Sequence, residues 1–374
     1  MGLRKGTLTF SRYRLIGTLP DNFPAFFNER IRHNAFQTVW RTADEKATGW
    51  TGLDDPLDTE FPYASYAQGR YLLFSLRVDR KSVAPALLRL RILEADRNKL
   101  AETGQKKLYR EQREAIREGV RLELLGKTLP VPAFFEACWS VPENTLLFCS
   151  LSDKVFEELQ ELFRDSFKLA LCPYLPWELP PEPGPARASG AEAGTAGTVL
   201  PSVLPGIDPA AIGREFLTWL WFKSEERNGT VMLPDEGAIG VDFIRRLVLE
   251  SGEGEYAESI VCQGLHSDLK EGKEALRQGK KITAARLKIS HNQTEWEFTF
   301  KADRFHFQSL KLPTLPDQEG DEADKEGQLL ERIYLVDRAV QLMDLLFQSF
   351  LTIRRTGAWE QEQSRMLKWI EAAD

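Results

Sequence analysis

Two groups of carboxylates in this sequence have a spacing that could support catalysis. Asp54, Asp55 and Asp58 lie together in a loop-like stretch, and Glu295 and Glu297 alternate along a strand-like one. Paired carboxylates can hold Mg²⁺ for phosphodiester hydrolysis. We favour the alternative, in which the aspartates lie in a solvated turn and the glutamates on the wet face of a half-buried strand. A Mg²⁺-dependent nuclease therefore stays as a second hypothesis, and we expect that the protein is not an enzyme.

A stripe of basic residues indicates a second kind of chemistry, the binding of a polyanion. Spacings of 4, 3, 4 and 4 place five of them on one helical face: Lys106, Arg110, Arg113, Arg117 and Arg121. From Arg77 to Lys127 there are 14 Lys/Arg and 8 Asp/Glu, whereas the whole chain carries a net charge of −7. This charge separation favours a surface for duplex DNA. A solvated helix with ion pairs to its own glutamates is the alternative.

A second basic cluster lies between His266 and Lys288, with 7 Lys/Arg against 3 acidic residues. Its candidate DNA contacts are Lys270, Lys273, Lys280, Lys281, Arg286 and Lys288. Two separated basic surfaces on an acidic protein are typical of opposite parts of one channel lining. Two unrelated solvated patches are the alternative, and the residues alone do not decide between them.

Composition and motifs exclude several classes of protein. No apolar run approaches the roughly 20 residues that span a bilayer, so no membrane partner is expected. Four cysteines without paired spacing are typical of reduced thiols in a cytoplasm. The four histidines have no ligand spacing, and no phosphate loop, dinucleotide fingerprint or nucleophile elbow occurs. We therefore expect no cofactor and no metal.

The basic stripe must be positioned by helices, and the flanking pattern predicts an α+β fold with mixed or antiparallel sheets. Ser82–Lys127 predicts two antiparallel helices, each roughly 30 Å long, with Ser82 as N-cap and a break at Thr103-Gly104. We expect this pair to project, because little in its polar length suggests burial. Other predicted elements are strands at Thr7–Ile16 and Arg70–Val78, a Gly49-Trp50 turn, and helices at Asp153–Phe167, from Asp208, and at Leu329–Ile353.

Changes in composition divide the chain into five parts. An N-terminal α+β body comprises residues 1–80 and 131–177, and the helical finger with its basic face comprises 81–130. Residues 178–209, rich in Pro, Gly, Ala and Ser, predict a flexible linker or insertion. A second α+β body, residues 210–356, includes the long helix, and 357–374 is a C-terminal tail helix.

Short motifs along most of the chain occur in the same order as in a known family. They are the opening strand Lys5–Leu15, Gly49-Trp50, Tyr71–Phe74, Ser82–Pro85, the helical finger, Leu124–Lys127, Leu129-Pro130, Trp139, Leu146–Cys149, Cys172-Pro173, Gln263–Leu265, Gly279–Thr283 and the Leu329–Phe350 helix. In this combination the chain resembles the bacterial recombination-associated protein RdgC family.

The resemblance implies a ring-shaped homodimer that encircles duplex DNA without sequence preference. Helical fingers would meet at their tips on one side of the ring, and a second contact would close it opposite. Such a ring is expected to limit the RecA recombinase indirectly, through shared DNA, and to be a nucleoid-associated protein of the cytoplasm. A protein-interaction module that binds an acidic partner is a further alternative.

Two sets of residues correspond to the family's dimer contacts. At the finger tip the resemblance implies Leu125, Lys127, Leu129 and Pro130, where the family often has a phenylalanine and arginines. At the second contact it implies Cys262 and Gln263, in place of the Lys-Gln pair of some members. An ordinary loop packed on its own body is the alternative for the apolar tip.

Overall fold

The chain is an α+β protein with a large antiparallel sheet, described by a computed structural model. The structure describes residues 2–38, 44–176, 208–226, 229–233, 236–251, 258–263, 270–313 and 325–372. Residues 178–207 of the predicted linker lie outside these ranges. The chain divides into two compact units. Unit 1 comprises Met1–Arg14, Cys149–Leu151 and Cys172–Asp374, and unit 2 comprises Leu15–Phe148 and Ser152–Leu171.

The described residues form the following elements in chain order. The strands are β1 (Leu8–Ile16), β2 (Lys46–Thr51), β3 (Ala67–Gln68), β4 (Tyr71–Arg80), β5 (Val131–Ser140), β6 (Thr145–Phe148), β7 (Ala170–Pro173), β8 (Thr230–Leu233), β9 (Gly237–Glu250), β10 (Ser259–Gln263), β11 (Lys281–His291), β12 (Thr294–Lys301) and β13 (His306–Lys311). The helices are α1 (Phe23–His33), α2 (Tyr63–Tyr66), α3 (Pro85–Thr103), α4 (Arg110–Lys127), α5 (Asp153–Phe167), α6 (Pro209–Glu226), α7 (Lys270–Arg277), α8 (Lys325–Arg354) and α9 (Ala358–Glu371). None of the helices in the described ranges combines the length and the hydropathy that a membrane span requires.

Unit 2 is built on the strand order β6-β5-β4-β2, with β3 paired to β4. The predicted Gly49-Trp50 turn is wrong, because both residues lie in β2 and pair with β4. The fully buried Trp50 ring packs on Phe74 and Phe167, and its indole N–H donates a hydrogen bond to Ser166. Burial of this large ring places the segment in the sheet, where a turn would expose it.

Unit 1 has the strand order β10-β9-β11-β12-β13-β1, with β8 on the side of β9. Helix α6 packs its aromatic residues into the core, and Phe216, Trp219 and Leu220 are at most 1% exposed. The Asp208 carboxylate accepts a hydrogen bond from the Ala210 N–H, as expected for the cap of this helix. The predictions of a buried α6, an α5 spanning Asp153–Phe167 and a long helix α8 are confirmed.

The two helices that carry the basic stripe form the connection of one β-hairpin in unit 2. Arg80 at the end of β4 pairs with Val131 at the start of β5, in antiparallel register. The chain therefore leaves the sheet and returns to it at one point, and residues 81–130 are inserted between two neighbouring strands. We call residues 81–130 the two-helix insertion.

Candidate nucleic-acid interface

Helix α3 begins later than the sequence predicts. Its N-cap is Ala84, and Pro85 takes the first helical position, so the prediction of Ser82 as N-cap is wrong. Proline suits that position because the N–H it lacks would have no partner there. The predicted break is confirmed: Gly104 has φ 67°, and its N–H donates to the Leu100 carbonyl at 3.0 Å. No side chain of α3 is buried.

Helix α4 carries four of the five stripe residues at helical spacing. Arg110, Arg113, Arg117 and Arg121 lie within it, whereas Lys106 lies in the six-residue connection before it. Extension of the predicted face to Lys106 is therefore wrong, because the helix begins at Arg110. The Tyr109 N–H is capped by the Gln112 side chain at 3.0 Å, and this capping bond sets the start of the helix.

The insertion is held together by a narrow apolar seam. Helices α3 and α4 pack against each other. Half-buried apolar side chains recur at helical spacing on both helices: Leu88, Ile92 and Leu100 on α3, and Ile116 and Val120 on α4. Leu124 continues the series at the sheet end of α4 and is 9% exposed. Since the seam takes only one side of each helix, most of the charged side chains remain in solvent.

Some cations of the insertion are neutralised by nearby carboxylates. Arg110 pairs with Glu114 at 2.9 Å, one helical turn away. Lys127 pairs with Glu123 and, through this hydrogen bond, lowers the pKa of that carboxyl group. Arg121 pairs with Glu45, just before β2. The alternative of a helix with ion pairs is thus correct for part of the stripe.

Other cations of the insertion have no counter-ion. Arg113 and Arg117 are exposed, and the guanidinium group of neither makes a hydrogen bond or ion pair to any residue in the described ranges. The same holds for Arg89 on α3 and for Lys106 and Lys107 in the connection. An unpaired surface guanidinium or ammonium keeps its full charge for an anionic ligand.

These five unpaired cations line one open groove between the helices. The groove has a volume of about 1180 Å³. Its lining also includes the paired Arg110, two carboxylates, and apolar and aromatic side chains: Ile92, Leu93, Asp96, Leu108, Tyr109 and Glu114. Six cations against two carboxylates make the groove a positive surface, and its shape concentrates that charge.

The sequence does not single out several residues of this groove. Arg89 lies on α3 and not on the helix that carries the basic stripe, and Lys107 follows Lys106 directly and so falls outside the helical spacing of the stripe. Asp96 and Tyr109 have no spacing signal of their own. Arg89 lies three and four residues before Ile92 and Leu93, so it shares their helical face. Antiparallel packing of α3 on α4 brings this face beside the stripe, and the groove is lined by both.

The predicted dimer contacts of the finger lie at its sheet end. The turn between the helices is Gly104–Tyr109, whereas Leu125, Lys127, Leu129 and Pro130 are where α4 returns to β5. The expectation that they form an apolar tip is wrong in position, because a helical hairpin has its tip at the turn between its helices. Leu125 is 3% exposed and Leu129 is 72% exposed. Whether they contact a second copy stays a prediction.

The second predicted contact lies on β10 of unit 1. Cys262 pairs with Leu247 of β9, and Gln263, the last residue of β10, pairs with Arg246. The Cys262 side chain is buried, and burial, together with the Glu271 carboxylate, raises the pKa of its thiol. A dimer contact at Gln263 stays a prediction.

Most cations of the second basic cluster face carboxylates within unit 1. The ion pairs are 2.7–2.8 Å long and join Lys273 to Glu225, Lys280 to Glu258, Arg286 to Glu297 and Lys288 to Glu295. Lys280 is also buried, and Lys281 is exposed. Lys270 is the first residue of α7. These pairings favour a patch neutralised by its own carboxylates over part of a DNA channel.

The carboxylates of the nuclease hypothesis have structural partners. Asp55 accepts a hydrogen bond from the Leu57 N–H, and Asp58 accepts bonds from the N–H groups of Glu60 and Phe61. Glu295 and Glu297 pair with the cations named above. Within the described part of the chain, no group of three His, Cys, Asp or Glu residues could hold a metal ion. The geometry gives the nuclease hypothesis no support.

In comparisons with known proteins, no protein-family model matches the chain, and no curated protein matches its sequence.

Proposed function

We propose that this protein binds double-stranded DNA without sequence preference, through phosphate contacts made by the two-helix insertion. It acts as a binding protein and not as a nuclease. The observation that carries the proposal is the set of unpaired cations that line the groove, Arg113 and Arg117 above all.

Their arrangement suits a phosphate backbone better than a single compact anion. Arg113 and Arg117 are one helical turn apart, about 6 Å along the axis at 1.5 Å per residue. Lys106 and Lys107 extend the positive surface into the turn. Such an array neutralises several phosphates in succession, which is the sequence-independent part of DNA binding.

The excess of negative charge outside the insertion supports the same proposal. The whole chain has a net charge of −7, so DNA is repelled from much of its surface and attracted to the insertion. We locate the contact on the insertion alone, because the cations of the second cluster are largely paired.

The resemblance to the RdgC family supports the finer part of the proposal. The protein would act as a ring-shaped homodimer in the nucleoid and would limit RecA-dependent recombination through the DNA that both proteins occupy. Two insertions from a dimer would double the number of phosphate contacts. Leu129, at 72% exposed, is the most exposed leucine of the insertion, and an apolar contact with a second copy would cover it.

Release from DNA of different topology tests the ring. Complexes on a covalently closed circle and on the same DNA made linear are challenged with high salt, and retention is measured with time. A ring stays on the circle and slides off the linear DNA, and blocking both ends of the linear DNA with bulky protein restores retention. Equal release from all three would exclude a ring and leave the phosphate contact standing.

Labelled DNA incubated with the protein and Mg²⁺ tests the absence of hydrolysis. We expect the DNA to stay full length over hours. Any cleavage that is lost in an Asp55→Asn and Asp58→Asn double variant would replace the binding proposal with the nuclease.

A further inference from the structure

The groove of the two-helix insertion contains more than a phosphate site requires. Phosphates need only cations and N–H donors. Here Ile92, Leu93 and Leu108 form an apolar floor, and Tyr109 lies at the turn end with 71% of its surface exposed. Leu93 is 57% exposed, so this apolar surface is open to a ligand.

An exposed aromatic ring beside guanidinium groups is the usual surface for an unstacked base. Single-stranded DNA is held by cations that follow the backbone and by aromatic side chains on which bases stack. A base within a duplex has no free face to offer, because its neighbours cover both sides. Tyr109 beside Arg113 and Arg117 therefore adds a base contact that a single strand can use and an intact double helix cannot.

Asp96 narrows the identity of the base. It lines the groove among six cations, where a carboxylate opposes phosphate binding. Its Oδ1 atom is shielded from solvent and accepts no hydrogen bond from any part of the chain that the structure describes. A shielded acceptor without a donor is destabilising. Asp96 as a residue is only half-buried and lines the groove, so its other carboxylate oxygen is the acceptor available to a ligand there.

Among the pyrimidines, cytosine supplies the donor that Asp96 lacks. Cytosine carries an amino group at position 4, for which Asp and Glu are the matching acceptors, whereas thymine has a carbonyl oxygen there. The thymine oxygen would face the carboxylate with two acceptors opposed. The pair cytosine and thymine therefore separates recognition of the base from attraction to the phosphate.

We propose that the groove of the two-helix insertion binds single-stranded DNA through an unpaired base that carries an amino group, which among the pyrimidines is cytosine. The base lies on Leu93 and Tyr109, its amino group donates to Asp96, and Arg113 and Arg117 hold the flanking phosphates. Pockets of roughly 300–1,000 Å³ hold ligands of this size. The groove, at about 1180 Å³, has room for neighbouring nucleotides as well. The inference shares its cations with the proposed duplex site and adds a base contact that duplex binding does not need.

Anisotropy titrations of the full chain with labelled oligo(dC), oligo(dT) of equal length and a mixed-sequence duplex test the proposal at mildly alkaline pH. The wild type should bind oligo(dC) about tenfold more tightly than oligo(dT), the low end for a hydrogen bond to a charged group. Asp96→Ala should weaken oligo(dC) binding about tenfold and leave oligo(dT) and duplex binding unchanged or tighter. If it tightens all three alike, Asp96 is only a repulsive charge and the proposal fails.

Tyr109 provides an independent variant. Tyr109→Ala should weaken binding of both single strands about 5- to 100-fold, the range for one base stacked on an aromatic ring. Tyr109→Phe should restore it, and duplex binding should not change. Equal losses on all three DNAs, or no rescue by phenylalanine, would overturn the base contact. Tyr109 is exposed, so a loss of fold is not expected, and circular dichroism checks it.

The outcomes separate this inference from the proposed function. If the duplex binds with a steep salt dependence but the variants treat all three DNAs alike, the base site fails and duplex binding stands. If the duplex does not bind while oligo(dC) shows the expected dependence on Asp96 and Tyr109, the proposed function fails and the base site stands.

Discussion

Neutralising two unpaired arginines should reduce the salt dependence of duplex binding by a calculable amount. The variant is Arg113→Gln with Arg117→Gln, which removes two of the five groove cations that have no counter-ion. Each cation on a phosphate contributes about −0.9 to the slope of log affinity against log salt. For one insertion, five contacts give a slope of about −4.5 and three contacts about −2.7.

The slopes translate into measurable losses of affinity. Between 50 and 200 mM salt, the wild-type insertion should lose about 500-fold in affinity and the variant about 40-fold. Fluorescence anisotropy with one labelled duplex at four or five salt concentrations measures both. Binding to several duplex sequences should fall alike, because phosphate contacts carry no sequence information.

A matched control variant removes the same charge from paired positions. Arg91 pairs with Glu94 at 2.9 Å, and Lys99 pairs with Glu102 at 3.3 Å, both on α3. Arg91→Gln with Lys99→Gln changes the net charge of the insertion as much as the test variant does. It should leave the slope nearly unchanged, since these cations are already neutralised. Equal slopes for the two variants, or no change in the test variant, would refute the assignment of the contact.

Two further predictions concern the insertion's turn and a charge pair in unit 1. Gly104→Ala should speed hydrogen exchange of the α3 and α4 amides, because a left-handed φ of 67° costs a residue with a side chain about 1–2 kcal/mol. Gly119→Ala inside α4 should slow this exchange, because alanine favours a helix interior more than glycine does. A change in the same direction for both variants would contradict this reasoning. The hydrogen bond from Arg338 lowers the pKa of Glu236 below its ordinary value of 4.5. The pair of Glu236 with Arg338 therefore stabilises the fold fully above pH 4.5, and this stabilisation is lost as the pH falls through the lowered pKa of Glu236. Glu236→Gln should lower the urea midpoint at neutral pH and lose this difference in acid, and a constant difference would contradict the pairing.

Local patterns predicted the elements that depend on neighbours in sequence. The spacing of arginines on α4, the glycine that ends α3 and the cap of α6 all follow from contacts within one or two helical turns. The ion pair between Arg110 and Glu114, which the sequence did not single out, also joins residues four apart, whereas the alternative of a helix with ion pairs was a general expectation. These predictions succeed because a helix sets the geometry of such pairs by itself.

Local sequence patterns did not predict the contacts between segments that are distant in the chain. Trp50 lies in a strand because a core built from β4 and α5 covers its ring. Lys280 is neutralised by Glu258, which precedes β10, and Arg121 by Glu45. Which cations are paired depends on the position of carboxylates from other elements, so charge counts alone did not show that most cations of the second basic cluster have carboxylate partners.

By itself, the sequence determined an α+β chain with a cationic helix pair between two strands, because period and charge are properties of short segments. Only the tertiary structure decided which of those cations lack a counter-ion and that Asp96 and Tyr109 share a groove with Arg113. Each of these depends on which side chains the two helices bring within a few ångströms of one another. Packing sets these neighbours, and the position of a residue in the sequence does not.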